Sequence, residues 1–144
     1  IGTGARMRVL PALLESARTE PEQALLSLKN LPVTQQSNPE LPAQMVGEQA
    51  KPQPGTLYRD LLACNTFDVM GRLQEIQHLP TLIICGAEER NAPVKYSEYL
   101  HTHIAGSVLR IIPAAGHYVQ REKPAEVNRA ITEWLAEKKT LDAL

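Results

Sequence analysis

The chain has 144 residues, of which 43% are hydrophobic, and its 15 basic and 16 acidic side chains leave a net charge of −1. This length allows one buried core, while the near-neutral charge provides no basic field for nucleic acid or an anionic membrane. The apolar runs are also too short to cross a bilayer. From the charge and these short runs we expect small neutral molecules or other proteins as partners.

The first half of the sequence has the spacing of helices and contains no strand-like run. Apolar residues recur at three- and four-residue steps over positions 7–17, and Pro11 is expected in the first turn or at a kink. Thr19 and Glu22 predict the N-cap and the capping box of a second helix. The five prolines in 31–54 predict a loop with at most one short helix.

Helical spacing returns at positions 57–62, and a shorter helix is expected over 70–76. The period then changes, because positions 81–85 form an apolar run bounded by Pro80 and Gly86. A continuous run of this kind predicts a strand that is covered on both faces within a parallel sheet.

The last third of the chain repeats this alternation. A helix is expected after Pro93, a second strand over 108–112, and a final helix that begins at Pro124. Strand, helix, strand and helix joined by short links predict a βαβα unit with parallel strands. The final helix is expected to turn an apolar stripe inward, formed by Val127, Ala130, Ile131, Trp134 and Leu135.

Two side chains with acid–base chemistry follow the predicted strands directly. Glu89 comes after the first strand and His117 after the second, 28 positions later. Parallel sheets bind ligands beyond the carboxyl ends of their strands, and a histidine held by a carboxylate is the base that activates a nucleophile. We therefore predict His117 as a catalytic base and Glu89 as its partner, with Glu88 as the alternative acid. The alternative for His117 is a histidine that only caps a turn.

The remaining histidines and cysteines have no comparable setting. His101 and His103 are two positions apart late in a predicted helix, so they lie on different faces and make no metal pair. Cys64 and Cys85 are widely separated, which predicts neither a disulfide nor a Cys-x-x-Cys site and makes a reducing cytosol the default location. We expect no cofactor and no metal, since the sequence has no ligand cluster and no glycine-rich phosphate loop. No signal peptide is expected either.

The nucleophile of such a site has no candidate in the sequence. Neither Gly-x-Ser-x-Gly nor Gly-x-Cys-x-Gly occurs in the 144 residues. In a Ser-His-acid arrangement the nucleophile breaks the bond, while the histidine and the acid activate it. The residues thus predict two of the three parts of a hydrolytic triad.

These segments together resemble the C-terminal half of the α/β-hydrolase fold superfamily. Gly86, Glu89 and Pro93 match the Gly-x-x-Asp-x-x-x-Pro pattern after the seventh strand of that family, with glutamate at the aspartate position. The Gly-His pair at 116–117 resembles the end of the eighth strand, and 122–124 resemble the Glu-x-Pro that opens the last helix. The resemblance implies that His117 is the general base and that Glu89 is the acid that orients it.

The resemblance also implies a division of the chain. Residues 1–79 would hold the end of the sixth strand, at 1–5, and a helical lid, and residues 80–144 would be the C-terminal βαβα part of the core. The first five strands, the nucleophile elbow and the oxyanion donors of the family have no counterpart here. The fold class is therefore α/β, with a helical layer followed by two parallel strands.

From this resemblance we expect a C-terminal piece of a serine hydrolase, acting on an ester or a related acyl compound and inactive alone. The lid is apolar enough to suggest a small neutral or apolar substrate. An unpaired strand edge predicts a homo-oligomer or a complex with the missing N-terminal half. The alternatives are a natural subunit that completes its site with a separate N-terminal chain, and a non-catalytic interaction module.

Overall fold

A computed structural model describes residues 5–29 and 55–141 of the chain. The predicted loop over 31–54 lies outside these residues, as do positions 1–4 of the predicted strand end.

The first half of the described chain is a helical layer. Helix α1 runs over Pro11–Thr19, α2 over Pro21–Lys29 and α3 over Thr56–Thr66, and a 3₁₀ helix follows over Met70–Ile76. Pro11 occupies the first turn of α1, where a missing backbone N–H costs no helical hydrogen bond. Helix α1 packs against both α2 and α3.

Two predictions at the start of this layer were wrong, namely that the helical spacing over 7–17 reflects a helix from position 7 onward and that Thr19 is an N-cap. The first helix begins at Pro11, and the residues before it run alongside the end of α3, where Met7 N–H donates to the Phe67 carbonyl at 3.2 Å. Thr19 is not an N-cap, because α1 continues through it and its hydroxyl donates to the Glu15 carbonyl at 2.9 Å. Glu20 takes the predicted position instead, since its carbonyl accepts a 3.1 Å bond from Ala24 N–H.

The second half confirms the predicted order of strand, helix, strand and helix. Strand β1 spans Leu82–Gly86, α4 spans Val94–His103 and β2 spans Val108–Ile112. A short helix α5, Val119–Glu122, precedes α6, Pro124–Leu141, which packs on both strands. The strands pair in parallel from Leu82 opposite Val108 to Gly86 opposite Ile112.

Two small apolar clusters hold these parts together. One joins the helical layer to α4, and the other joins the sheet to α5 and α6. Burial of apolar surface in these clusters is the main force that holds the helices against one another and against the sheet. The buried members are Ala5, Leu73 and Ile104 in the first cluster, and Ile112, Ala115 and Val127 in the second.

The sheet is less covered than the sequence predicted. In β1 only Cys85 and Gly86 are buried, while the three residues before them are partly exposed. On α6 the predicted inward stripe is also divided, since Val127 and Ala130 are buried but Leu135 is 47% exposed. The reason is that, within the described residues, the sheet has only two strands, so the outer edge of β1 has no strand beside it.

Candidate functional site

The turn after β1 places Glu89 beside the turn after β2. Glu89 N–H donates to the Gly86 carbonyl at 3.3 Å, which closes a tight turn at the end of the strand. Glu88 N–H donates to the Ala115 carbonyl at 2.8 Å, so the two turns are joined by a backbone hydrogen bond. The carboxyl ends of both strands thus meet at one edge of the sheet.

Gly86 allows this close approach. A Cβ atom at this position would lie 2.3 Å from the Ala115 carbonyl oxygen and 2.5 Å from that of Gly116. These neighbours are backbone atoms, so no side-chain rotation relieves the overlap. Only glycine permits the turn before His117 to lie directly against the end of β1.

His117 and Glu89 contact each other in the structure. His117 Nδ1 lies 2.7 Å from Glu89 Oε2, with the Glu89 side chain 8% exposed and that of His117 34% exposed. An ionised carboxylate only accepts hydrogen bonds, so this contact requires the hydrogen to be on Nδ1. The lone pair of the neutral ring is then on Nε2, the nitrogen that is able to take up a proton.

The other carboxylate oxygen of Glu89 is held by its own loop. Glu89 Oε1 accepts hydrogen bonds from Asn91 N–H at 2.6 Å and from Ala92 N–H at 3.1 Å. The side chain therefore folds back over the loop, which accommodates the methylene by which glutamate exceeds aspartate. Of the two acids predicted as partners of His117, Glu89 makes this contact, whereas Glu88 lies on the exposed surface.

The histidine lies at the end of a turn with unusual backbone geometry. Ala114 has a positive φ of 51°, a left-handed conformation that costs energy for a residue with a Cβ. The Tyr118 ring packs edge-on against the imidazole, with ring centroids 5.1 Å apart. Tyr118 thus covers part of the imidazole.

The two histidines of α4 contact groups within the helix or just after it. His101 Nδ1 lies 3.0 Å from Ser107 Oγ, and His103 Nδ1 lies 2.8 Å from the Tyr99 carbonyl oxygen. Cys85 is buried in β1, and this burial raises the pKa of its thiol. A thiol with a raised pKa is a poor nucleophile at neutral pH.

Sequence reasoning gave no role to one residue of this region. Glu122 was part of the Glu-x-Pro resemblance, and its carboxylate accepts from the backbone N–H groups of Gly116 and Tyr118. The signal available in sequence was a charged residue five positions after His117 at a predicted helix start.

Two further observations concern the described parts of the chain only. Among residues 5–29 and 55–141, no group of three or more His, Cys, Asp or Glu side chains is arranged to hold a metal ion. Over the same residues, none of the helices has the length and apolar character required to span a membrane.

Comparisons with known proteins identify the architecture. No protein-family profile and no curated protein matches the chain by sequence. Solved structures do match: a thermophilic esterase is 33% identical with a TM-score of 0.69, the alignment covering 92% of this chain and 53% of the esterase. An esterase from Thermogutta terrifontis is 24% identical with a TM-score of 0.71, at the same coverage of 92% and 53%. The enol-lactonase from Burkholderia xenovorans is 20% identical with a TM-score of 0.79, again over 92% and 53% of the two chains.

The chain has the α/β-hydrolase fold, as the sequence resemblance predicted. A helical layer followed by a βαβα unit with two parallel strands forms the C-terminal part of that fold. The chain spans about half the length of the solved structures that it matches.

Proposed function

We propose that His117 is the general base and Glu89 the orienting carboxylate of a serine hydrolase that cleaves esters or related acyl compounds. The observation that carries this proposal is the 2.7 Å contact between His117 Nδ1 and Glu89 Oε2 at the adjoining ends of two parallel strands. The likeness to esterases supports the reaction class.

The proposed chemistry uses the two nitrogens of the imidazole in different ways. Nε2 takes the proton from a serine hydroxyl as its oxygen attacks the acyl carbon, and later gives that proton to the leaving alkoxide. Glu89 stays ionised throughout and stabilises the imidazolium that forms between these steps. Water then attacks the acyl-enzyme by the same sequence, returning the serine and releasing the acid.

The backbone cradle of Glu89 supports its role as the third triad member. A carboxylate with one oxygen fixed by two N–H groups has little freedom to rotate, so its other oxygen keeps a constant direction toward His117. Preorganised contacts of this kind lower the cost of reaching the charged intermediate. This geometry favours Glu89 over Glu88 for that role.

The serine and the oxyanion donors must come from polypeptide outside this sequence, which has no Gly-x-Ser-x-Gly segment. We therefore expect the purified 144-residue chain to hydrolyse a nitrophenyl ester no faster than buffer does. Hydrolysis that a serine-directed organophosphate blocks would contradict this expectation.

A chimera tests the proposed roles directly. The N-terminal half of the 33% identical esterase, which would carry the elbow, is joined to this chain in place of the esterase's own second half. We expect esterase activity that falls by about 10³-fold or more in H117A and by about 10²-fold or more in E89Q. H103A is the matched control, because His103 contacts only its own helix in the described structure. An H117A chimera as active as the H103A chimera would refute the assignment.

The exposed sheet supports a second part of the proposal, that this chain associates with a further copy or with an N-terminal half. Strand β1 has apolar residues that are partly exposed, and no strand lies beside its outer edge within the described residues. Unpaired edges and open apolar faces favour strand addition. We expect light scattering to show a mass above one chain. A monomer with high thermal stability would count against association.

We further propose that the helical layer, with α1, α2 and α3, serves as a lid over the pocket of the assembled enzyme. Its partly exposed apolar side chains favour a small neutral or apolar substrate. In the chimera, short-chain nitrophenyl esters should therefore be turned over faster than charged analogues. If H117A leaves a partner's binding unchanged and no chimera hydrolyses esters, the interaction-module alternative is favoured.

A further inference from the structure

Glu122 is a buried acid whose carboxylate brackets the backbone of His117. The residue is 6% exposed and lies at the end of α5. Oε2 accepts a 3.1 Å hydrogen bond from Gly116 N–H, and Oε1 accepts a 3.0 Å bond from Tyr118 N–H. The residues on either side of His117 are thus held by the two oxygens of one carboxylate.

A backbone hydrogen bond of α5 reinforces these two contacts of the Glu122 carboxylate. Glu122 N–H donates to the Tyr118 carbonyl at 2.9 Å, so Glu122 and Tyr118 are joined by both a side-chain and a backbone bond. Removing a charge from water is costly, and hydrogen bonds from two backbone N–H groups offset part of that cost. A buried acid at this position therefore ties α5 firmly to the turn.

The turn that carries His117 is held from two further directions. Gly86 brings β1 against the Ala115 and Gly116 carbonyls, and Glu88 N–H donates to the Ala115 carbonyl at 2.8 Å. Both contacts are made by residues that precede position 117. Glu122 also accepts a hydrogen bond from Tyr118 N–H, so it contacts the backbone on both sides of the histidine.

We propose that Glu122 is a positioning residue that directs the His117 imidazole toward Glu89. It acts through the backbone and does not touch the reacting atoms. Losing either oxygen as an acceptor would let the peptide units around His117 rotate, and a rotated Cα–Cβ bond moves Nδ1 away from Oε2. The inference rests on the proposed function, because it concerns the same histidine and acid.

The test is long-range ¹H–¹⁵N NMR on the full 144-residue chain, which reports the tautomer of each histidine ring. In wild type we expect His117 as a single Nδ1–H tautomer. E122Q keeps the size of the side chain but turns one acceptor oxygen into an amide donor, so we expect a mixture of His117 tautomers. Exchange of the Gly116 and Tyr118 amide protons should become about tenfold faster or more, as for the loss of one hydrogen bond.

The controls separate positioning from general destabilisation. E133Q makes the same chemical change at an exposed position of α6 and should leave the His117 signals unchanged. The His101 and His103 rings, which contact other groups, serve as internal references in every spectrum. Faster amide exchange in E122Q with an unchanged His117 tautomer would overturn the inference, because Glu122 would then only close the turn.

Two further variants complete the test. If E122Q loses the reference signals through unfolding, E122D is measured instead. Its shorter side chain should give the same change of the His117 tautomer to a smaller extent. An E122D spectrum identical to that of wild type would overturn the inference. E89Q distinguishes the two proposals. An unchanged His117 tautomer in E89Q would refute the proposed pairing itself, whereas a change in E89Q without one in E122Q would refute only the role of Glu122.

Discussion

Replacing Gly86 with alanine is the sharpest test of how the two strand ends are held together. The new Cβ would lie 2.3 Å from the Ala115 carbonyl oxygen, so the turn after β2 must move by about 1 Å to restore ordinary contact. The same movement stretches the 2.8 Å bond from Glu88 N–H to the Ala115 carbonyl. Overpacking against backbone is costly, and we expect G86A to lose about 3 kcal/mol of unfolding free energy.

Urea denaturation followed by the fluorescence of the single tryptophan, Trp134, measures this loss. For a chain of this size, about 3 kcal/mol corresponds to a midpoint lowered by about 1 to 2 M urea. The matched control is G71A, because a Cβ at Gly71 would meet nothing within 4 Å. G71A should be neutral or gain about 0.5 kcal/mol by restricting the unfolded chain. A midpoint for G86A equal to that of G71A would refute the reasoning.

Three further predictions concern other parts of the chain. The hydrogen bond from Arg6 and that from a backbone N–H lower the pKa of Asp68. Its contribution to stability is therefore fully present above about pH 4 and is lost as the pH falls through the lowered pKa of the folded state. The difference in melting temperature between wild type and D68N should accordingly be larger at pH 6 than at pH 3. Burial raises the pKa of the Cys85 thiol, whereas Cys64 is partly exposed. At pH 8 a thiol-reactive disulfide reagent should therefore label C85S, which keeps Cys64, at least about tenfold faster than C64S, which keeps Cys85. Equal labelling rates would contradict the burial of Cys85. Ala114 has φ of 51°, so A114G should raise the unfolding free energy by about 0.5 kcal/mol, and a loss in calorimetry would contradict the assigned strain.

The order of elements in the second half was predictable because it depends on local patterns. An apolar run between Pro80 and Gly86 is read within a few residues, and so is the start of α6 at Pro124. The positions of Glu89 and His117 follow from the same patterns, since each residue lies in the turn that follows a strand. The helix boundary at Thr19 was not predictable in this way, because the single residue Glu20 both ends α1 and precedes α2.

The coverage of the strands could not be read from their composition. A fully apolar strand indicates what would cover it in a complete sheet, and in the described residues β1 has only β2 as a neighbour. The outward-facing apolar residues of α6 follow the same rule. Periodicity reports which surfaces avoid water, and it does not report whether a partner is present.

By itself, the sequence determined the alternation of strands and helices and identified a histidine and an acid at strand ends, because side-chain periodicity and chain order are local properties. The tertiary structure decided which of two adjacent glutamates meets His117, since that choice depends on the path of the loop held by Asn91 and Ala92. It also decided that Gly86 and Glu122 shape the turn around the histidine. These contacts join residues that only packing brings together, at distances that no spacing along the chain specifies.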